Sequence, residues 1–404
     1  MARSISVRMY NVGFGDAFLV AIPEAEGVRR ILFDCGSIAA PQGRAMSDVV
    51  ERIVRDVTGA DGVPRIDVVV ATHRHKDHVS GFDAAVWANV QVSEVWLPWT
   101  EDPEDPAARE IRDIQSRLTL ALDAAFKARP AAENAADVAQ AAIVSNALTN
   151  DRAMRTLHAG FAGNPTRRFL PTLDPAERTF TTAALPGVTV HVLGPSRDKE
   201  VIRDMTPPKG ESYLRLKAAA VEAGNGKPKP PFTARFIVPA APLPFPEEEK
   251  GKIRSAGSFA DLDIAVALDQ AVNGTSLMLV LEFAGTYLLF PGDAQWGTWA
   301  SVLKDPRWVD LLRKVEFYKI GHHGSHNATP KDFVEGILRE NVWAMASTIE
   351  RPQWARIPKP ELLEALEQKH AHLARSDKDG SAPTADGGFQ VEPGVVVEAR
   401  IPIG

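Results

Sequence analysis

Apolar positions along this chain fall into short runs whose spacing separates strands from helices. Residues 5–10, 17–22 and 30–33 are compact runs bounded by turn formers, which predicts three closely spaced strands. Over 46–57, Val49, Val50, Ile53, Val54 and Val57 recur every three or four positions, giving a helix one apolar face. Residues 66–71 and 92–97 predict two more strands. An acidic, proline-marked break at 101–106 opens an alanine-rich stretch to about residue 158, with Ile111, Ile114, Leu118, Leu122 and Phe126 in helical phase. Strand patterns return at 188–193, 276–283, 286–290, 315–320 and 342–347, with helices predicted at 331–339 and 359–370. Between them, Pro228, Pro230, Pro231 and the prolines of 239–246 exclude regular helix or central strand.

The expectation is one α/β domain over 1–404, interrupted by a mainly helical insertion at 101–185 and an irregular proline-rich insertion or lid at 197–271. The chain has 404 residues, 45% of them hydrophobic and 24% charged, as soluble globular proteins do. A net charge of -6 removes any chain-wide basic field, so a polyanion needs a local patch or a metal. The one cysteine, Cys35, excludes an internal disulfide. No leader pattern and no membrane-length apolar run is present, and the expected location is cytoplasmic, away from membranes.

Chemistry concentrates at strand ends. Directly behind the run 66–71 stand His73, His75, Asp77 and His78, four metal-ligand types within six residues. On an extended backbone His73 and His75 face the same side. Imidazole and carboxylate together suit zinc or another first-row divalent ion. A second apolar strand stops at Asp293, and a third stops at His322 and His323, so six of the ten histidines lie in two clusters.

The string His73-x-His75-x-Asp77-His78, followed by Ser80 and Gly81, resembles the signature of the metallo-β-lactamase-fold hydrolases. Within them the likeness is nearest to the hydrolase domain of ComEC-type competence proteins. It is carried further by 11–17, 32–36, Leu193-Gly194-Pro195, Asn273-x-x-Ser276-Leu277, 289–293 and His322-His323-Gly324-Ser325. The resemblance spans roughly 1–100, 186–196 and 273–400 and leaves both insertions uncovered. It implies a four-layer αββα sandwich with a two-metal site along one edge of the sheets. His73 and His75 would bind one ion, Asp77 and His78 another, Asp293 both, and His322 or His323 would lie at the same edge. Asp34 and Ser325 would orient ligands rather than bind metal. Asp16 reads better as a turn former than as a site residue.

Two departures stand out. The family's third histidine for the first ion has no clear counterpart, with His191 as one candidate. Its closing histidine is replaced by Ile357 or Lys359, which leaves one or two ions, Zn or Mn, open; Lys359 could instead face a phosphate. The resemblance favours a phosphodiesterase or nuclease using metal-activated hydroxide, with Asp77 and His322 or His323 moving protons. The partner it implies is a nucleic acid or nucleotide substrate, with Arg167, Arg168, Lys209, Lys227 and Lys229 as local cations. Hydrolysis of a small ester, lactone or thioester is the second expectation. A metal-poor binding or regulatory module is the third, and a partner protein could supply the nucleic-acid surface.

Overall fold

The computed structural model describes residues 3–127 apart from 26, 42 and 43, then 150–204 with 207, 271–325, 328–349, 357–378 and 388–403. Two mixed sheets, of eight and seven strands, form its frame. The first takes β1 (Ser4–Tyr10), β2 (Phe18–Glu24), β3 (Gly27–Phe33), β4 (Arg65–Val70), β5 (Gln91–Pro98) and β6 (Thr166–Leu170) in sequence order. The second takes β7 (Thr179–Thr182), β8 (Leu185–Gly194), β9 (Met278–Phe283), β10 (Thr286–Phe290), β11 (Val315–Lys319), β12 (Trp343–Ala346) and β13 (His372–Arg375). The chain then returns to the first sheet, where β14 (Phe389–Glu392) pairs with β15 (Val396–Pro402) and β15 with β1.

Strand alternation sorts the side chains. Val68 and Val70 of β4 join an apolar cluster with Leu288 and Phe290 of β10, so this core lies between the two sheets. Phe33 and Phe290 stack there with ring centroids 3.9 Å apart. Val69, between Val68 and Val70, points the other way, into a second core closed by α1 (Met46–Val57), which Ile66 at the start of the strand also joins. Tyr287 and Leu289 likewise join a third core under the helices Trp296–Lys304, Pro306–Leu312 and Pro360–Gln368. α1 begins where the Asp48 carboxylate accepts the Ala45 N–H at 2.8 Å, and it buries Val49, Val50, Ile53 and Val57 as its spacing predicts.

The differences from expectation are instructive. The stretch 101–185 holds α3 (Pro106–Lys127) but also β6 and β7, which belong to the sheets. β6 carries Thr166-Arg167-Arg168, whose polar pattern hid it; Arg168 gives its guanidinium to the buried Glu94 at 2.8 Å. The helix predicted over 331–339 is a single wide turn, Asp332–Ile337, closed by Leu338 N–H to Phe333 O at 2.7 Å. Residues 128–149, most of the proline-rich insertion, and Lys209, Lys227 and Lys229 with it, lie outside the described residues. No helix among the described residues is long and apolar enough to cross a membrane.

Candidate metal centre

β3 and β4 run parallel, as do β10, β11 and β12, so their carboxyl ends deliver side chains to one edge. β3 ends at Asp34, β4 at Thr72 and His73, β10 at Asp293, β11 at His322 and His323, and β12 at Ser347. The turn between β1 and β2 brings Asp16 to the same edge, its N–H donating to Asp77 O at 2.9 Å.

Three groups of donor atoms result, each with its atoms within 4.8 Å of one another: His73, His75 and Asp77; Asp77, His78, Asp293 and His323; and Asp16, Asp34 and His78. All these side chains are buried. His73 Nε2 lies 3.1 Å from His75 Nδ1, and Asn273 Oδ1 is 2.9 Å from that same Nδ1. His78 spans two carboxylates, with Nδ1 2.8 Å from Asp34 Oδ2 and Nε2 3.1 Å from Asp293 Oδ2. His323 places Nε2 3.2 Å from Asp77 Oδ2 while Nδ1 meets Ser347 O at 2.8 Å. Its neighbour His322 is 21% exposed, with its ring 2.9 Å from Ser325 Oγ and Nε2 3.9 Å from Asp293 Oδ2. The pair is thereby divided: His323 lies inside the cluster and His322 at its rim.

Asp34 accepts the Thr72 N–H and hydroxyl, both at 2.7 Å, besides facing His78. It therefore ties the start of the histidine loop to the end of β3. Asp16 is more than a turn former. It is 1% exposed, ion-paired to Lys319, and 3.6 Å from His78 Nδ1. His191 is not brought to the cluster: its ring bonds Thr179 and Glu282 at 3.2 and 2.9 Å and packs beside Trp308. The pleat of β8 turns it to the outer face of the second sheet. Lys359 is buried beside the histidine turn, its N–H donating to Gly324 O at 3.0 Å, but supplies no imidazole. Cys35 is a buried core residue whose thiol burial pushes well up, which makes it inert.

Electrostatics match a cation site. Burial holds His73 well below the usual imidazole value and takes His75 down to about 4, so both are neutral donors. Burial alone would raise Asp77 and Asp293, but His78 and its fellow histidines outweigh it and keep both carboxylates ionised. His78 is itself raised against burial by Asp293, Asp34 and Asp77. Four buried carboxylates (Asp16, Asp34, Asp77 and Asp293) thus share one edge with His78 and the Lys319 ammonium, which is 3.6 Å from Asp293 Oδ1. The remaining negative charge calls for bound cations or protonated histidines. The residues present could therefore hold one or more metal ions.

Lys319, Asn273, Thr72 and Ser276 are the participants that the pattern of ligand types passed over. Lys319 carried a visible signal, a charge one residue from the end of an apolar run. Asn273 carried only its place in the string with Ser276, whose hydroxyl takes the Asp293 N–H at 3.2 Å. Comparison with known protein families and with curated proteins finds no match to this chain.

Proposed function

We propose that this chain is a metal-dependent hydrolase of the metallo-β-lactamase fold, a four-layer αββα sandwich, and that it cleaves phosphodiesters. The observation that carries the reading is Asp77, whose carboxylate belongs at once to the His73–His75 group and to the His78–Asp293–His323 group. Two adjoining donor sets sharing a carboxylate are what a pair of cations requires. His73 and His75 would hold one ion and His78 and Asp293 a second, with Asp77 common to both donor sets. A bound divalent ion, Zn or Mn, supplies Lewis acidity and hydroxide near neutral pH.

The chain's own groups account for the proton traffic. Ionised Asp77 accepts a proton, and His323, raised by Asp77 and Asp16 against its burial, stands beside it as the positive partner. His322, at the rim and braced by Ser325, is the group that meets the leaving oxygen. The phosphodiester assignment rests on the likeness of the 321–325 string to the ComEC type. It is supported by Arg74, Arg112 and Arg167, which gather around His158 next to the histidine loop. Arg74 is 3.6 Å from Glu101, and Arg112 and Arg167 donate to backbone carbonyls of Asp102 and Pro165.

The test is turnover by purified protein with Mn²⁺ or Zn²⁺ against bis(p-nitrophenyl) phosphate, single-stranded and duplex DNA, and a panel of lactones. Phosphodiester cleavage that Asp77→Ala abolishes, with the fold retained, is the expected result. Lactone turnover without phosphodiester cleavage overturns the substrate class. Near-zero bound metal, with unchanged function in a His75→Ala Asp77→Ala variant, overturns the enzyme in favour of a binding module.

A further inference from the structure

Among the described residues, the donor group of His73 and His75 holds Asp77 but no third imidazole, and His191 is committed to Thr179 and Glu282 on the outer face of the second sheet. Another side chain occupies the place beside the pair. Asn273 is 1% exposed, and its Oδ1 is 2.9 Å from His75 Nδ1, the nitrogen that is itself 3.1 Å from His73 Nε2. His75 Nδ1 thus has both His73 Nε2 and Asn273 Oδ1 within 3.1 Å.

The backbone fixes Asn273 in that position. Residues 272–276 form a tight turn in which Thr275 N–H and Ser276 N–H donate to Val272 O and Asn273 O, both at 3.0 Å. The next residue, Leu277, donates its N–H at 2.8 Å to Thr72 O, immediately before His73. The turn is thus tied to the histidine loop on one side and, through Ser276, to Asp293 on the other. An amide oxygen is a neutral donor like imidazole but a harder one, and it shifts preference from Zn²⁺ toward Mn²⁺.

We propose that the side-chain oxygen of Asn273 is a further protein donor, beside Asp77, to the cation held by His73 and His75. The inference rests on the metal-site reading above. It is tested on the full chain by metal content, by titration with Mn²⁺ and Zn²⁺, and by the visible spectrum of the Co²⁺-loaded protein. Asn273→Ala should lose one bound equivalent or weaken it roughly ten- to a hundredfold, with the fold unchanged by circular dichroism. Asn273→Asp, which keeps an oxygen in place, should restore it.

A positioning role through His75 would weaken metal in the same way, so the deciding variant is Asn273→Cys. Its thiolate should give a charge-transfer band with Co²⁺ that the parent lacks, since that band needs a direct bond from residue 273 to the metal. Asn273→Cys without the band, or wild-type metal binding by Asn273→Ala, overturns the inference. If the unaltered protein binds no metal at all, the underlying reading has failed instead.

Discussion

Asp34 illustrates how much a single side chain can carry at this edge. It sits at φ 55°, a left-handed conformation that Asp tolerates better than most residues, and from there accepts from Thr72 twice and faces His78. Asp34→Ala leaves the Thr72 N–H and hydroxyl without their acceptor. We expect about 1–3 kcal/mol of lost stability in urea unfolding and a ten- to hundredfold weaker metal affinity, both measurable on one preparation. Lys319 has the opposite charge and a similar burden. Its ammonium, 3% exposed, is raised by Asp16 and Asp293 despite burial. Lys319→Met strands those carboxylates, at a cost of about 3–5 kcal/mol in the metal-free protein. Added Mn²⁺ should recover part of that loss, and no recovery would argue against a cation site beside Asp293.

Elements bring these residues together by close backbone contact. α2 (Lys76–Val79) is a single turn that follows His75 and carries Asp77 and His78. It packs directly on the segment after β3, where Cys35 N–H donates to His78 O at 2.7 Å. A Cβ added at Gly36 would lie 2.5 Å from Lys76 O and 2.6 Å from His78 N, against backbone that cannot swing aside. Gly36→Ala should therefore cost about 1–3 kcal/mol and weaken metal binding, even though residue 36 is not a ligand. Unchanged metal affinity in that variant would show that α2 can move without penalty. The turn after β11 is built differently. His322 and His323 both have positive φ, 46° and 53°, so the strand end is bent sharply enough to send one ring inward and leave the other at the rim. Their adjacency in sequence announced a site, but the backbone bend decided which histidine entered it.

At the scale of the whole molecule, Glu94 links the two sheets. From β5 it accepts Trp96 Nε1 and Arg168 Nε, each at 2.8 Å, and the hydroxyl of Thr182 on β7 of the other sheet. Burial acts to raise its pKa, but Arg168, Thr182 and Trp96 outweigh burial and hold it below the usual 4.5. A depressed carboxylate contributes stability that is present above its unfolded pKa and lost as pH falls through the folded one. Glu94→Gln should thus destabilise the protein by about 1–3 kcal/mol at pH 7. The gap between variant and parent should close progressively on acidification below 4.5, read from urea midpoints across pH. A gap that stays constant with pH would mean that Glu94 acts by shape and not by charge.

The chain's alternation and 3.6-residue spacing were enough to predict β1 to β5, α1, β8 to β12 and the three strand ends that carry the His/Asp cluster, because each depends on local apolar pattern. β6 and β7 were not legible, since their polar residues are satisfied by Glu94 and His191 across strands and sheets. Sequence also named His73, His75, Asp77, His78 and Asp293, whose residue types are costly to bury without a charged partner. It could not choose between His322 and His323, exclude His191, or recognise Asp16, Lys319 and Asn273. Those decisions depend on which groups from distant segments come within about 3 Å of one another. Only the packing of one sheet edge against the other fixes that.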